Sequence, residues 1–141
     1  MTIPPERWLL DTNIWVFGLR RNPSIPTCEH LLDRIGSFVV VVPLQVLKEL
    51  NVNLREDEIR GFYRLIKKYP TLIELSWTIA PVERVKFYEQ RGCRKGDAVI
   101  AAHAESLEVE IIISENRQFL QTMTDISLKI ITSAVALSRL E

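Results

Sequence analysis

The sequence predicts an α/β domain built around a mainly parallel sheet. Short apolar segments with strand character alternate along the chain with longer amphipathic segments, which is the pattern of repeated strand–helix units. FVVVV (38–42) and EIII (110–113) are almost free of polar residues, as strands buried on both faces of a parallel sheet are. The chain of 141 residues is the length of one domain with one core, so we predict a single domain over residues 1–141.

The first part of the chain alternates strand and helix signals. RWLLD (7–11) is a short apolar run that ends in an acid and predicts a buried strand, and TNIWVFGLR (12–20) follows with about two turns of helix. RNPSIP (21–26) interrupts that pattern, so the next helix is expected over about 27–36. FVVVV (38–42) is the strongest strand signal in the sequence.

Two amphipathic helices are predicted after that strand. Pro43 suits the first turn of the first helix, since a missing N–H costs nothing there. Leucines recur on one face of this helix, at Leu44, Leu47, Leu50 and Leu54. The second helix has large apolar residues at Ile59, Phe62, Tyr63, Ile66 and Tyr69. TLIEL (71–75) then predicts a third strand.

The rest of the chain continues the alternation. PVERVKFYEQ (81–90) predicts a helix, and another begins at Asp97 and runs to about Leu107. VEIIIS (109–114) and LKIIT (128–132) predict two strands, with NRQFLQ (116–121) as a short helix between them. A carboxyl-terminal helix is expected after the last strand.

Composition argues against several classes of protein. Eighteen basic and eighteen acidic side chains cancel, so the chain lacks the overall positive charge of proteins that coat nucleic acid, and any such binding needs a local patch. No apolar run approaches the roughly 20 residues that span a bilayer. MTIPPERWLL lacks the basic start and long apolar core of a secretory signal, so we expect a cytosolic, cytoplasmic location without a membrane partner.

The cysteines and histidines do not form a metal-binding pattern. Cys28, Cys93, His30 and His103 show none of the spacings of zinc ligands. Two thiols in a cytosolic chain are expected to be free and reduced. His103 is expected to be structural, because it shares a helical stripe with Val99, Ile100 and Leu107.

Polar residues gather where the predicted strands end. Asp11 ends the first strand, residues 114–116 end the EIII strand, and Asp97 begins the helix before that strand. Functional groups of open parallel sheets lie beyond the carboxyl ends of the strands, so we expect at least two carboxylates to converge. Crowded carboxylates repel one another unless a cation neutralises them, and hard ions such as Mg²⁺ or Mn²⁺ favour oxygen ligands. The pattern therefore points to metal-dependent phosphodiester hydrolysis.

Two acids are ambiguous by local pattern alone. Asp97 follows two cations and a glycine in RKGDAVIAAHA, where the simplest role of an aspartate is to cap a helix. Glu49 lies well away from the leucine stripe of its helix, and periodicity assigns it to the solvent-exposed face.

Four stretches occur in an order and at intervals that are specific as a set. They are LLDTNIWV (9–16), PLQVLKEL (43–50), RKGDAVIAAHA (94–104) and IISENRQFL (112–120). Together they resemble the motifs of PIN-domain ribonucleases, in particular the small VapC-like toxins of prokaryotic toxin–antitoxin pairs, over nearly the whole chain. The resemblance implies a three-layer α/β/α domain with strand order 3-2-1-4-5, a site for Mg²⁺ or Mn²⁺, an RNA substrate and usually a homodimer.

The resemblance also assigns residues by position. Asp11, Glu49 and Asp97 match the three metal-binding acids of the family. Glu49 would thereby belong to the site rather than to the surface, and Asp97 would both cap its helix and hold metal. Thr12 and Asn13 match the polar pair that supports the site.

The fourth acidic position departs from the fullest pattern. Many relatives have an acid where Asn116 stands, and asparagine supplies an oxygen without charge, which weakens the case for a second metal more than for the first. We count Asn116 with the catalytic residues. Ser114 keeps the hydroxyl of the threonine often found there, and Glu115 is adjacent but is expected to point apart from Asn116.

Other functional classes fit the sequence less well. A phosphotransfer enzyme of the haloacid dehalogenase type needs a second acid where Asn13 stands, and a phospho-receiver domain needs paired acids after its first strand. Neither the GxxxxGK[ST] phosphate loop nor a glycine-rich dinucleotide turn is present. A catalytically inactive domain that binds protein or RNA, and a housekeeping RNA-processing nuclease, remain as alternatives to a toxin.

The sequence also indicates candidate contacts with RNA and with other proteins. QRGCRKGD and the residue after Asn116 supply candidate contacts to RNA phosphates: Arg91, Arg94, Lys95 and Arg117. Five large side chains exceed what one small core hides and favour a homodimer: Tyr63, Ile66, Tyr69, Phe87 and Tyr88. If the protein is a toxin, the 43–69 helical pair is expected to help form the antitoxin groove, and a basic antitoxin side chain would displace metal from the acids.

Overall fold

The computed structural model describes residues 5–122 and 128–141. At its centre is a five-stranded parallel sheet with the order β3-β2-β1-β4-β5. The strands are β1 Arg7–Leu10, β2 Val39–Val42, β3 Ile73–Leu75, β4 Ile111–Ile113 and β5 Lys129–Ile131. The predicted fold class and strand order are confirmed.

Eight helices lie between and after these strands in the described residues. They are α1 Thr12–Leu19, α2 Pro26–Asp33, α3 Leu44–Asn53, α4 Glu56–Lys68, α5 Val82–Gln90, α6 Lys95–Ser106, α7 Arg117–Thr122 and α8 Ser133–Leu140. The helix predicted over about 27–36 ends earlier than expected. The chain turns at Gly36, whose φ of 118° lies in the region that favours glycine.

The central strand β1 explains why helices are needed on both sides of the sheet. Trp8, Leu9 and Leu10 are consecutive and all buried. Because successive side chains of a strand point to opposite faces, such a strand requires a covering layer on each face. Trp8 also stacks on Phe38, with ring centroids 4.6 Å apart, and so ties the start of β1 to the segment before β2.

Helix α3 carries its leucines on one face, as predicted. Val46 and Leu50 are buried in the core, whereas Leu44 and Leu47 are half-buried. The four leucines line one apolar groove: Leu44, Leu47, Leu50 and Leu54. The groove is shared with α4, so the burial of Leu44 and Leu47 depends on a neighbouring helix rather than on the sheet.

The five large side chains expected to be in surplus are mostly accommodated within the domain. Tyr88 is buried, and Ile66, Tyr69 and Phe87 are half-buried and pack against the core. Tyr63 is 62% exposed and lies mostly on the surface. The expectation that one core does not hide all five side chains completely is confirmed, because only Tyr88 is fully buried. The homodimer inferred from it stays a prediction.

The two cysteines and His103 lie in the interior, and the structural role predicted for His103 is confirmed. Cys28 and Cys93 are buried and are not joined by a disulfide. His103 is 1% exposed, and its Nε2 donates to the carbonyl oxygen of Thr78. Within the described ranges, no helix is long and apolar enough to cross a membrane.

Candidate functional site

The carboxyl ends of β1 and β4 lie side by side and bring together the polar residues that follow them. The strands pair with Leu10 opposite Ile113, and the Asp11 N–H donates to the Ile113 carbonyl oxygen at 2.8 Å. The Ser114 hydroxyl donates to Oδ2 of Asp11 at 2.7 Å. This edge of the sheet is where open parallel folds place their ligand sites.

Asp11 is also the N-cap of α1. Its Oδ1 accepts a hydrogen bond from the Thr12 N–H at 2.8 Å, and its Oδ2 accepts one from Nδ2 of Asn13 at 3.3 Å. A carboxylate at this position is favoured by the positive end of the helix dipole. The acid at the end of the first strand thus also begins the first helix.

The environment of Asp11 favours its neutral form. Its side chain is only 4% exposed, and desolvation by burial raises the pKa of its carboxyl from 3.8 to about 6. Hydrogen bonds from Ser114 and from the Thr12 N–H act in the opposite direction. The negative charges of Asp97 and Glu49 raise the pKa further, which means that three acids act on one another here.

Glu49 reaches this edge of the sheet from α3. Its Oε1 accepts a hydrogen bond from the Thr12 hydroxyl at 2.9 Å, and its Oε2 accepts one from Nε2 of Gln45 at 3.0 Å. A Cβ on Gly96 would lie 3.5 Å from Oε2, so the carboxylate also adjoins the first turn of α6. The surface assignment from periodicity is wrong, because the flank of α3 next to its core residues, where Glu49 lies, faces α1 and α6.

Asp97 approaches from the first turn of α6. The prediction that it caps this helix is wrong: the helix begins at Lys95, with Arg94 in the N-cap position and no side-chain cap. Asp97 is half-buried, and its Oδ2 accepts a hydrogen bond from Nδ2 of Asn116 at 3.3 Å. Burial and then the charge of Glu49 raise the pKa of Asp97, and the charge of Arg94 lowers it less.

The remaining predicted residues support these acids in different ways. The Asn13 Oδ1 accepts the N–H of Glu115 at 3.2 Å, and the Asn116 N–H donates to the Ser114 hydroxyl oxygen at 3.1 Å. The Glu115 carboxylate points elsewhere, since its Oε1 accepts the N–H of Ser133 at 2.8 Å and also the Ser133 hydroxyl. Glu115 therefore contributes to the site through its backbone and ties it to α8.

The predicted RNA-binding cations lie outside the acidic cleft. All four are exposed, and none lines the cleft in the described part of the chain: Arg91, Arg94, Lys95 and Arg117. Sequence reasoning missed Arg20, which does line it. The available signal was the helical spacing of Thr12, Val16 and Arg20, which recur every four residues and share one face of α1.

The three acids line one cleft of about 290 Å³. Among the described residues, no three acidic, histidine or cysteine side chains are already gathered tightly enough to hold a metal ion by themselves. A hard divalent ion does not require this, because Mg²⁺ keeps several waters and is bound through one or two carboxylates plus phosphate oxygens. Three carboxylates in one cleft, two of them with a raised pKa, fit such an ion by charge and by ligand type.

Comparison with known proteins identifies the family and the fold. Residues 8–123 match the sequence model of the PIN domain. No curated protein matches the sequence. The structure resembles that of PAE2754 from Pyrobaculum aerophilum, with a TM-score of 0.59, 16% identity, and coverage of 96% of this chain and 95% of that chain.

Two VapBC structures share the same fold. VapBC-1 from nontypeable Haemophilus influenzae gives a TM-score of 0.58 at 22% identity, covering 91% of this chain and 98% of that chain. VapBC2 from Rickettsia felis, bound to a DNA fragment from its promoter, gives a TM-score of 0.57 at 18% identity, covering 89% and 98%.

Proposed function

The chain belongs to the PIN domain family, and from this premise we propose that it is a divalent-metal-dependent endoribonuclease that hydrolyses RNA phosphodiester bonds. The observation that carries the proposal is the convergence of Asp11, Glu49 and Asp97, from three separate elements, on one cleft at the carboxyl edge of the sheet. Three carboxylates in one cleft can bind a divalent cation, and that cation can in turn contact a phosphate of the substrate.

Asp11, Glu49 and Asp97 are the residues that would hold Mg²⁺ or Mn²⁺. When bound, the metal supplies a water of lowered pKa and neutralises charge on the phosphate. In the hydrolysis, the water oxygen bonds to phosphorus and its proton passes to solvent, while the bond to the leaving ribose oxygen breaks and that oxygen takes up a proton from solvent. The hydroxyls of Thr12 and Ser114 each donate to one carboxylate of the cleft, and so orient Glu49 and Asp11 for this task.

Asn116 has a positioning role in this proposal. Its Nδ2 donates to Asp97, and its Oδ1 accepts the N–H of Gln118 at 3.0 Å, so its oxygen is already engaged. The amide therefore orients an acid rather than adding a charged ligand. This arrangement favours one metal over two.

Metal-dependent cleavage of a labelled RNA tests the proposed function. We expect cleavage with Mn²⁺ or Mg²⁺ that EDTA abolishes, and a loss of at least about 100-fold in Asp97→Asn. Glu105→Gln is the matched control, because Glu105 lies on the same helix and pairs with Arg84 on the surface. Metal-independent cleavage, or equal activity of Asp97→Asn and Glu105→Gln, would contradict the proposal. An inactive binding module would bind RNA without cleaving it.

The exposed cations form the second part of the proposal. Lys95 and Arg117 are exposed near Asp97 and Asn116 in sequence, and we assign at least one of them a contact with RNA phosphates. RNA affinity should fall as salt rises, and neutralising both residues should reduce the slope. An unchanged slope in the double variant would argue against these contacts.

Toxin activity is the biological role that the resemblance favours over housekeeping RNA processing. Two structural neighbours are VapBC proteins. An apolar groove of about 240 Å³ between α3 and α4 suits an antitoxin's apolar segment, and its lining includes Leu44, Leu47, Leu54, Ile59, Tyr63 and Trp77. A basic antitoxin side chain among the three acids would compete with metal.

A growth assay tests the toxin role. Cells should tolerate this protein poorly when it is expressed alone and should tolerate it when the adjacent gene product is expressed with it. Equal growth in the two cases would favour a housekeeping role.

A homodimer also belongs to the proposal. The segment from β3 to α5 exposes Trp77 by 67%, Ile79 by 82% and Val82 by 60%, which is apolar surface suited to a second copy. Light scattering at micromolar concentration should give twice the 16.3 kDa mass of one chain. The mass of a single chain would exclude the dimer.

A further inference from the structure

Arg20 is the one basic side chain that lines the acidic cleft in the described part of the chain. It follows the last residue of α1, on the same helical face as Thr12 and Val16. Side chains of an α-helix lean toward its amino terminus, so the long arm of Arg20 extends back in the direction of the acids. A cation at the rim of a cleft whose floor is acidic is a candidate contact for the substrate.

The guanidinium of Arg20 is held in place by two contacts. Its Nε donates to Oε2 of Glu58 at 2.9 Å, and its Nη2 donates to the carbonyl oxygen of Asn53 at 2.8 Å. Asn53 lies one helical turn beyond Glu49 and donates to the Glu49 carbonyl oxygen at 2.8 Å. The Asn53 carbonyl oxygen lies about 6 Å along the axis of α3 from that of Glu49, and the guanidinium lies one hydrogen bond from Asn53.

Glu58 is a rigid anchor for this cation. It is only 5% exposed, and its Oε1 accepts the N–H of Arg55 at 2.8 Å at the start of α4. The Arg20 side chain is 33% exposed, and no hydrogen bond among the described residues uses its Nη1. The edge of the guanidinium that carries Nη1 is thus available to a ligand, while the other edge is fixed.

We propose that Arg20 binds the RNA phosphate next to the scissile one, and that Glu58 is a positioning residue that orients Arg20 for this contact. The inference rests on the proposed ribonuclease function. A phosphate held against the three acids leaves the next phosphate of the strand several ångströms away, toward the rim where Arg20 lies. Arginine suits this contact, because its planar fork donates to phosphate oxygens while its other donors stay paired.

The competing account is purely structural, since Arg20 also connects α1 to α4 through Glu58. The chain offers a matched control in Arg7, whose Nη2 donates to Oε2 of Glu74 at 2.9 Å and whose Nη1 donates to the carbonyl oxygen of Leu107 at 2.9 Å. Arg7 makes the same kinds of contact at the opposite end of β1, away from the cleft.

The test compares Arg20→Ala, Arg20→Lys and Arg7→Ala in single-turnover RNA cleavage with Mn²⁺. We expect Arg20→Ala to raise the half-saturating protein concentration about tenfold, the cost of one charge-assisted hydrogen bond, with a smaller change in the saturated rate. Arg20→Lys should recover part of the loss because it keeps the charge, and Arg7→Ala should behave as wild type. Thermal unfolding of each variant separates loss of fold from loss of binding.

RNA with a single neutral methylphosphonate on either side of the cleavage position supplies the decisive readout. At the contacted phosphate, the methylphosphonate should weaken the wild type about as much as Arg20→Ala does and should add nothing to that variant. If the effects of the methylphosphonate and of Arg20→Ala on binding add at both positions, the inference is overturned. The role of Arg20 is then only to connect α1 to α4. Equal behaviour of Arg20→Ala and Arg7→Ala would overturn the inference as well. Absence of cleavage by the wild type would overturn the proposed function and this inference with it.

Discussion

Asp11 at the end of β1 and Glu58 at the start of α4 are buried to the same degree, yet burial has opposite outcomes for them. Asp11 is 4% exposed and Glu58 is 5% exposed. The pKa of Asp11 is raised to about 6. Desolvation also acts to raise the pKa of Glu58, but hydrogen bonds and charges from Arg55 and Arg20 outweigh it and hold that pKa below its ordinary value.

The difference lies in the partners that the fold supplies. Glu58 receives a guanidinium from Arg20 as well as the Arg55 N–H, so its charge is neutralised within the chain. Asp11 receives hydrogen bonds from a hydroxyl, an amide and a backbone N–H, and faces two other acids. A buried carboxylate that is paired with a cation of the same chain stabilises the fold. A buried carboxylate without such a cation carries a negative charge that the chain does not neutralise. For this reason the proposed metal site is placed at Asp11 and not at Glu58.

The largest expected change in the free energy of unfolding is the one produced by Mn²⁺ binding beside Asp11. Mn²⁺ at about 100 times its dissociation constant should raise the free energy of unfolding by about 2.7 kcal/mol, because it binds only the folded cleft. Thermal and urea unfolding with and without Mn²⁺ measure this. Asp11→Asn should lose most of the gain, and Glu74→Gln, which alters a surface acid paired with Arg7, should keep it. A gain of the same size in Asp11→Asn would break the comparison.

Removal of the internally neutralised charge should come next in size. Glu58→Gln should lower the free energy of unfolding by about 2 kcal/mol at pH 7.5, since it weakens a buried pair whose arginine is partly solvated. Because the folded pKa is lowered, the contribution of Glu58 is fully present above its unfolded pKa of about 4.3 and is lost as pH falls through the folded value. Urea unfolding at pH 7.5 and pH 4 should therefore show a smaller difference at pH 4; a difference independent of pH would refute this explanation.

Removing the charge of Asp11, which no cation of the chain neutralises, should stabilise the fold instead of destabilising it. In metal-free protein, Asp11→Asn should raise the free energy of unfolding by about 1 kcal/mol at pH 7.5, the relief of the raised pKa less the weakened hydrogen bonds. Because the folded pKa is raised to about 6, the penalty in the wild type is present above about pH 6 and fades toward pH 4. Urea unfolding in EDTA at pH 7.5 and pH 5 measures it. Destabilisation at pH 7.5 would show that the hydrogen bonds outweigh the charge.

The smallest effect should be that of an exposed glutamate on the same helix as Glu58. Glu56 pairs with Arg60 at 2.7 Å, but both side chains are mostly solvated, at 84% and 65% exposure respectively. Glu56→Gln should change the free energy of unfolding by no more than about 0.5 kcal/mol, because solvent screens an exposed pair. The Glu56→Gln variant is the solvent-exposed reference for Glu58→Gln, and urea unfolding of both variants gives the comparison. Equal costs for the two would mean that burial does not distinguish these acids.

Local pattern was sufficient for the elements and for the acids at strand ends. The apolar runs predicted the five strands, and the resemblance supplied their order. Asp11 and Ser114 follow directly after paired strands, so the register of the sheet places them together. Such positions are readable from sequence, because parallel strands end at a common edge whatever packs against them.

Positions on helices required the tertiary structure. Periodicity assigned Glu49 to solvent, yet a neighbouring helix supplies Thr12 to its carboxylate. Side-chain size placed Tyr63 and Tyr88 in one group, yet one is exposed and the other is buried. A hydrophobic stripe identifies only the face of a helix that meets the core. What covers the other faces depends on segments distant along the chain.

The sequence by itself determined the α/β class, the alternation of elements and the presence of acids at the ends of strands. Only the tertiary structure decided that Glu115 turns toward Ser133, and that Arg20 is paired with a buried Glu58 at the rim of the acidic cleft. Those contacts join residues 18 and 38 positions apart, and their partners follow no local period. The charge on each buried carboxylate, and hence its role, depends on which of these distant partners the packed helices bring to it.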